Sequence, residues 1–426
     1  MIRRLALLLV LGLVLAGCAG GDDDGTDQAD GGGDAGATDQ ATPPSGDFDA
    51  GVDTIKIGMI QPFSGPIGFL GQFLQNSVQV EVDRINAAGG LGGAQLEIVT
   101  RDNELNPQLA VQAAQEFSGD DEIAMVVGPS FTGFFNAAKQ IFEDNQMINC
   151  QSAVAGADAL EGLRYSFRTQ DPDQFRTVAL FDYLEANSDV QSVALVYEND
   201  DTGKGYDALL PELTEERGME YVGFQATRPD DQTHRAQMEA VKDADAVLIS
   251  NNSTFAAKSA AAANEIGYEG QLIGFSGLQG FTYVEGAPEG ADGTIFASNY
   301  LGYFTRDEPE QWPDAYREHV QTVIEEYGET EGPKSGIKQY NGSALPADCV
   351  VLFERAVQQA QSLEPDAIVD AWESLDIPRE EMPSFVRAQF GPDDHEEYAA
   401  DDLYIYEWTQ EDGEWFLEPL AGPDVG

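Results

Sequence analysis

The sequence predicts an α/β protein built as two doubly wound parallel-sheet lobes, joined by a hinge and separated by an interlobe cleft. Three observations carry this expectation. From residue 53 onward, short apolar runs of strand length alternate with segments of helical period. The run IAMVVGP is wholly apolar, as a strand buried on both faces of a parallel sheet has to be. The same alternation then begins again at SVALVY, after RYSFRTQDPD.

TIKIGMIQ alternates and reads as a strand. Over residues 70–88, Leu74, Val78, Val82 and Ile85 fall on one helical face. Gly89-Gly90 stops that helix, because a glycine just past a helix end turns left-handed without a Cβ clash. Gly92-Gly93 makes a tight turn into the strand QLEIVTR, and Pro107 opens the next helix from its first turn. IAMVVGP, a helix over 131–144 and the strand MINC complete a β-α-β-α-β-α-β series with right-handed crossovers. The second series runs SVALVY, helix 205–217, MEYVGFQ, helix 233–242, DAVLISN, helix 254–266 and QLIGFSG. The last third reads as helices over 312–327, 341–362 and 365–375. It closes on the hairpin DLYIYEWTQEDGEWFLEP, turning at Asp412-Gly413.

The 426 residues suffice for two or three domains, and 42% hydrophobic residues can fill real cores. Lys+Arg is 22 and Asp+Glu is 76, so the formal charge is 22 − 76 = −54. That excludes nucleic acid and an anionic membrane face as partners. The acids are spread through segments with regular apolar periodicity, so they are not a disordered tail. Only seven of the basic residues are Lys. A globular chain of this kind suits a high-salt environment, where screening over a few ångströms removes its self-repulsion.

Residues 1–17 carry Arg3 and Arg4 ahead of a short apolar run, which fits a secretory signal peptide better than a membrane span. The run ends in LAGC, which resembles the lipobox of exported lipoproteins and implies lipid on Cys18. The alternative is a plain cleavage site that contains a cysteine. Residues 18–52 are rich in Gly and Asp and hold no large apolar residue before Phe48, so they read as a solvated tether. The other cysteines are Cys150 and Cys349. An extracellular setting permits a disulfide between them, and free buried thiols fit as well.

IKIGMIQPFSGPIGFLGQ, RINAAGGLGGAQLEIVTRDNELNPQLAV, VVGPSFTG, YSFRTQDPDQ and ALVYENDDTGKGYDALLPEL occur in that order. Together they resemble the branched-chain amino acid binding proteins, which are solute receptors of ABC transporters with the type I periplasmic-binding-protein fold. The resemblance spans roughly residues 53–418 and loosens after about 250. It implies three interlobe crossings near 170, 297 and 390. Lobe 1 is then 53–170 plus 298–389, and lobe 2 is 171–297 plus 390–420. It also implies an extracytoplasmic receptor, monomeric and held to the membrane through its lipid alone, that closes on a small solute and presents it to ABC permease subunits.

Carried over residue by residue, the resemblance puts Thr132, with Ser130 near it, at the ligand's carboxylate. The alternative is that both only cap the helix. Ser152 and Ala153 supply hydroxyl and backbone contacts. Leu70 covers the ligand or belongs to the first helix's core. In the second lobe Thr202, Asn252 and Ser276 stand where the family has two aromatics and an acid. A ligand ammonium would therefore lack its partner, unless Glu285 or another acid substitutes. This favours, by a small margin, a solute without an α-ammonium. No catalytic motif appears: Ser276 in GFSGL lacks the second glycine of a nucleophile elbow, and Gly203-Lys204-Gly205 lacks the spacing of a phosphate loop. His234, His319 and His395 are too scattered for a metal site, so neither metal, cofactor nor enzymatic activity is expected. The alternative is a sensory receptor of the same fold that signals through a partner.

Overall fold

The computed structural model describes residues 48–423 other than 66, 200, 229 and 329–343, and only the backbone of Asp201, Thr202, Ser276 and Ala400. The expected signal peptide, Cys18 and nearly all of the expected tether lie outside the described residues.

The first series runs β1 (Thr54–Gln61), α1 (Gly68–Ala87), β2 (Gln95–Asp102), α2 (Pro107–Ser118), β3 (Ile123–Val127), α3 (Thr132–Asp144), β4 (Asn149–Gln151) and β5 (Ser166–Arg168). Its five strands are parallel, in the order β2-β1-β3-β4-β5. Ile55, Ile57 and Met59 bury one face of β1 against α1, and Ile60 the other against α2 and α3. Leu74, Val78, Val82 and Ile85 are all buried, as the helical period requires. Gly89 and Gly90 follow α1 with φ of 110° and 84°. A Cβ on Gly90 would stand 2.2 Å from the Ala94 carbonyl oxygen, so the reversal admits no side chain there.

The second series runs α4 (Asp173–Asn187), β6 (Ser192–Glu198), α5 (Asp201–Glu216), β7 (Glu220–Thr227), α6 (Arg235–Val241), β8 (Ala246–Ser250), α7 (Ser253–Ile266), β9 (Gln271–Gly274), α8 (Phe281–Gly286) and β10 (Ile295–Ser298). The helices α9 (Asp314–Tyr327), α10 (Leu345–Ala360) and α11 (Pro365–Trp372) follow. Then come the two-residue strands β11 (Asp376–Ile377) and β12 (Ala388–Gln389), and the hairpin β13 (Tyr404–Glu411) and β14 (Glu414–Ala421). The hairpin adds antiparallel to the second sheet, whose order is β14-β13-β10-β9-β8-β6-β7. Helices α10 and α11 pack into the first sheet's core.

Among the elements outside the expected series, α4 and β5 show why periodicity misses them. Helix α4 buries Leu180, Phe181 and Leu184, but also Asp173, Arg176 and Thr177. Polar residues dilute its apolar stripe. Strand β5 is three residues long and ends on a fully buried charge, Arg168. Residues 395–397 still run beside it: Arg168 N donates to His395 O at 3.0 Å and Glu397 N to Arg168 O at 2.9 Å.

Cys150 in β4 and Cys349 in α10 form a disulfide, both sulfurs buried. The bond ties α10 to the first sheet across 199 residues of sequence. Beside it lies a buried polar layer. Asp171 accepts from Arg176 through both oxygens, from Nη2 at 2.7 Å, and from Gln170 Nε2 at 2.6 Å. Tyr206 OH donates to Asp173. Burial pushes Asp173 up to about 7, although the Arg176 charge pulls the other way. Burial also pushes Asp348, in the first turn of α10, and Glu397 well above the ordinary carboxylate range, and the Asp348 charge adds to the effect on Glu397.

Two outcomes are expected. Breaking the disulfide by reduction or by Cys349→Ser should cost about 2–5 kcal/mol in an unfolding titration; an unmoved transition would mean that the thiols do not pair in solution. The second concerns pH. Asp173 binds its proton more tightly folded than unfolded. Its contribution is whole below the unfolded pKa of about 4 and is lost as pH rises through the folded value. At fixed high salt, the stability of Asp173→Asn should therefore decline less than wild type between about pH 5 and 7. The difference should approach about 1.4 kcal/mol per pH unit, and equal slopes would remove Asp173 from the titration.

Candidate functional site

Ligands of open parallel sheets sit beyond the carboxyl ends of the strands. In the first sheet that edge is lined with buried side chains that hold one another. Gln61 ends β1 and donates to Val127 O at 3.4 Å. Gln151 ends β4 and donates to Gly128 O at 2.9 Å. Ser130 donates its hydroxyl to Gln61 Oε1. That proton is therefore already engaged, which weakens Ser130 as a ligand donor.

Thr132 is the first residue of α3, and its Oγ1 accepts from Gly156 N at 3.1 Å. Phe131, at the turn before it, holds φ of 74° and donates its N–H to Ala153 O at 2.8 Å. The loop after β4 is thus seated on the start of α3. Ser152 is 1% exposed, and its Oγ has no hydrogen-bond partner among the described residues. The carbonyls of residues 153–156 in this loop are all bound within the protein. Ala153 O takes Phe131 N, and Ala155 O takes Asp173 N at 2.8 Å. Val154 O and Gly156 O take Arg168 Nη1 at 3.1 and 2.7 Å. Among the described residues, nothing accepts from the N–H groups of Ser152, Ala153, Val154 or Ala155. Bound carbonyls beside open donors, together with a buried unpaired hydroxyl, make a seat for an anionic or acceptor group.

The structure brings Thr132, Ser152 and Ala153 into this one loop cluster. Leu70 is buried in α1 but belongs to none of the extended apolar clusters. In the second lobe, Asn252 caps α7: its Oδ1 accepts from Phe255 N at 3.4 Å, and its Nδ2 donates to Glu198 Oε2 at 3.0 Å. Glu198 ends β6, the strand next to β8. An acid therefore stands at the carboxyl edge of the second sheet, on a residue that spacing did not single out. Glu285 is exposed on α8. The side chains of Thr202, in the first turn of α5, and Ser276 lie outside the described residues. Gly156, Arg168, Asp173 and Glu198 are the residues that motif reading passed over. The available signal was a charge, Arg168, between the apolar residues of YSF and a polar crossing.

Two other features were weighed as sites. Ser77 Oγ lies 3.3 Å from His319 Nε2, and His319 Nδ1 lies 2.9 Å from Glu81 Oε1. A serine hydrolase uses such a chain, but here Ser77 is fully buried and the chain ties α1 to α9. A groove of about 590 Å³ between α4 and the C-terminal hairpin, lined by Tyr183, Arg379 and Asp402 among others, contains none of the expected site residues. No described helix is long and apolar enough to cross a membrane.

Comparison with known proteins agrees with this architecture. A Leu/Ile/Val-binding protein homolog of Brucella melitensis is 26% identical over 247 residues, 57% of this chain and 67% of that one. A leucine-, isoleucine-, valine-, threonine-, and alanine-binding protein of Pseudomonas aeruginosa is 26% identical over 198 residues, 46% of this chain and 53% of its own length. The alignments thus span about two thirds and about half of those relatives. Among solved structures, a type 1 periplasmic binding protein from Bordetella pertussis superposes with TM-score 0.75 at 21% identity, over 86% of this chain and all of that one. A solute binding protein from Rhodopseudomonas palustris in complex with 3,4-dihydroxybenzoic acid gives 0.73 at 18% identity, over 87% and 97%. The family described as periplasmic binding protein matches residues 54–414. That span runs from β1 into the final hairpin, and the chain belongs to this family.

Proposed function

We propose that this protein is the lipid-anchored, extracytoplasmic solute receptor of an ABC importer. It binds a small polar organic solute, such as a branched-chain amino acid or amide, between its lobes. The observation that carries this reading is the loop after β4, with its carbonyls bound inward and the Ser152 hydroxyl buried without a partner. Thr132, Ser152 and Ala153 hold the solute's carboxylate or carbonyl, with Ser130 behind them, and Leu70 covers it. From the second lobe come Thr202, Asn252 and Ser276. Glu198 offers the acid that is missing at Ser276, so an α-ammonium need not go unpaired, which moves the balance toward amino acids. The protein works as a monomer, hands its solute to permease subunits, and belongs to a high-salt organism.

Calorimetry in concentrated salt with L-leucine, leucinamide and the des-amino acid tests this. Leucine at micromolar affinity corresponds to about −8 kcal/mol. Ser152→Ala should weaken leucine by about 1–3 kcal/mol while leaving the fold unchanged. A leucine affinity indifferent to Ser152 would remove that residue from the site, and no binding by any of the three would reject this solute class. Mass spectrometry of the mature N-terminus should find two acyl chains' worth of lipid on Cys18, since one chain anchors only marginally. An unmodified terminus would refute the anchor.

A further inference from the structure

Arg168 is fully buried and makes four hydrogen bonds with two opposite edges of its guanidinium. One edge, Nε and Nη2, grips both oxygens of Glu396, with Nε to Oε2 at 2.5 Å. The other edge, Nη1, takes the carbonyls of Val154 and Gly156. Glu396 is in turn held by its backbone, since residues 395–397 run parallel to Arg168. The loop that Arg168 holds passes its constraint on: Gly156 N donates to Thr132 Oγ1. A Cβ on Gly156 would stand 2.5 Å from Thr132 Cγ2, so the two residues are in close contact.

We propose that Arg168 is a positioning residue. Squared by Glu396, it draws the carbonyls of Val154 and Gly156 into the protein, and so presents the loop's amide donors and the Ser152 hydroxyl to an acceptor group of the solute. This rests on the solute-receptor reading. The role is geometric. The Arg168 charge is matched by Glu396 at contact distance, so little net field reaches the solute. What no other side chain could supply is the planar fork, which satisfies a carboxylate on one edge and two carbonyls on the other. The arrangement also connects the site to the crossings: Arg168 ends the first sheet, and Glu396 lies on the segment that leads to β13. Any movement of that segment pulls on the loop that holds the solute.

The test uses the full chain in concentrated salt with Arg168→Lys. Lysine keeps the charge for Glu396 but cannot fork to both carbonyls. Two readouts are taken: hydrogen exchange of the peptide covering 152–158, and the ratio of leucine to leucinamide affinity. We expect faster exchange in that peptide, with the β1 and β3 peptides unchanged, and a preference for the carboxylate reduced about tenfold. A merely structural role would lower both affinities alike and leave the ratio intact. Unchanged exchange at 152–158, or an unchanged ratio, would overturn the proposal. If Arg168→Lys does not fold, Glu396→Gln decides. It turns one acceptor into a donor facing the guanidinium, and should give the same two changes to a smaller degree; neither change appearing would overturn the proposal. If wild type binds neither leucine nor leucinamide, the receptor reading fails for this solute class. The exchange arm still judges whether Arg168 orders the loop.

Discussion

A buried guanidinium has to be paired, and the pairing of Arg168 fixes where three separate stretches of chain lie. An uncompensated charge at that depth would cost several kcal/mol. Glu396 removes the cost, and in doing so it holds residues 395–397 against β5. The carbonyls of Val154 and Gly156 take both N–H groups of Nη1, which sets the loop after β4. The start of α3 then follows through Gly156 and Thr132. The disulfide and the Thr169 hydroxyl, which donates to Leu345 O at 2.7 Å, bring the beginning of α10 to the same place. Together these ties leave one arrangement.

The excess of acid is handled differently inside and outside. The buried Asp171 and the half-buried Glu396 each have an arginine within hydrogen-bonding distance. Asp173 lies 3.8 Å from Arg176 and stays partly protonated near neutrality. Asp348 and Glu397 have no basic partner within salt-bridge distance among the described residues, and burial favours their neutral forms. A chain of formal charge −54 can keep such groups inside only by pairing or protonating them.

Much of this was legible in the sequence, for a stated reason. Where one face of an element is apolar and the other is not, as in α1 with Leu74, Val78, Val82 and Ile85, period identifies it. Glycines that must turn, such as Gly90, mark its end. Helix α4 and strand β5 were not legible, because their buried faces carry Asp173, Arg176 and Arg168, which read as surface until their partners are known. The first-lobe site was legible as far as its residue types. Thr132 takes the N–H of Gly156, in the loop that begins at Ser152, but which hydroxyl is already used could not be read: Ser130's is bound to Gln61, whereas that of Ser152 has no partner among the described residues. The second lobe was least legible. Asn252, which stands where the resemblance has an aromatic, spends its side chain on capping α7 and on Glu198. Where the resemblance has an acid this chain has Ser276, and an acid, Glu198, ends β6, two strands away from β9 in the same sheet.

On the proposed reading, the loop of Ser152 to Ala155 receives an acceptor group of the solute on its amide donors. The most direct measurement is amide NMR of the chain with isotope-labelled alanine, titrated with leucine in concentrated salt. The account predicts that the amide protons of Ala153 and Ala155 move downfield together as leucine saturates the protein, because each gains an acceptor. Saturation with leucine that leaves both resonances where they were would contradict it.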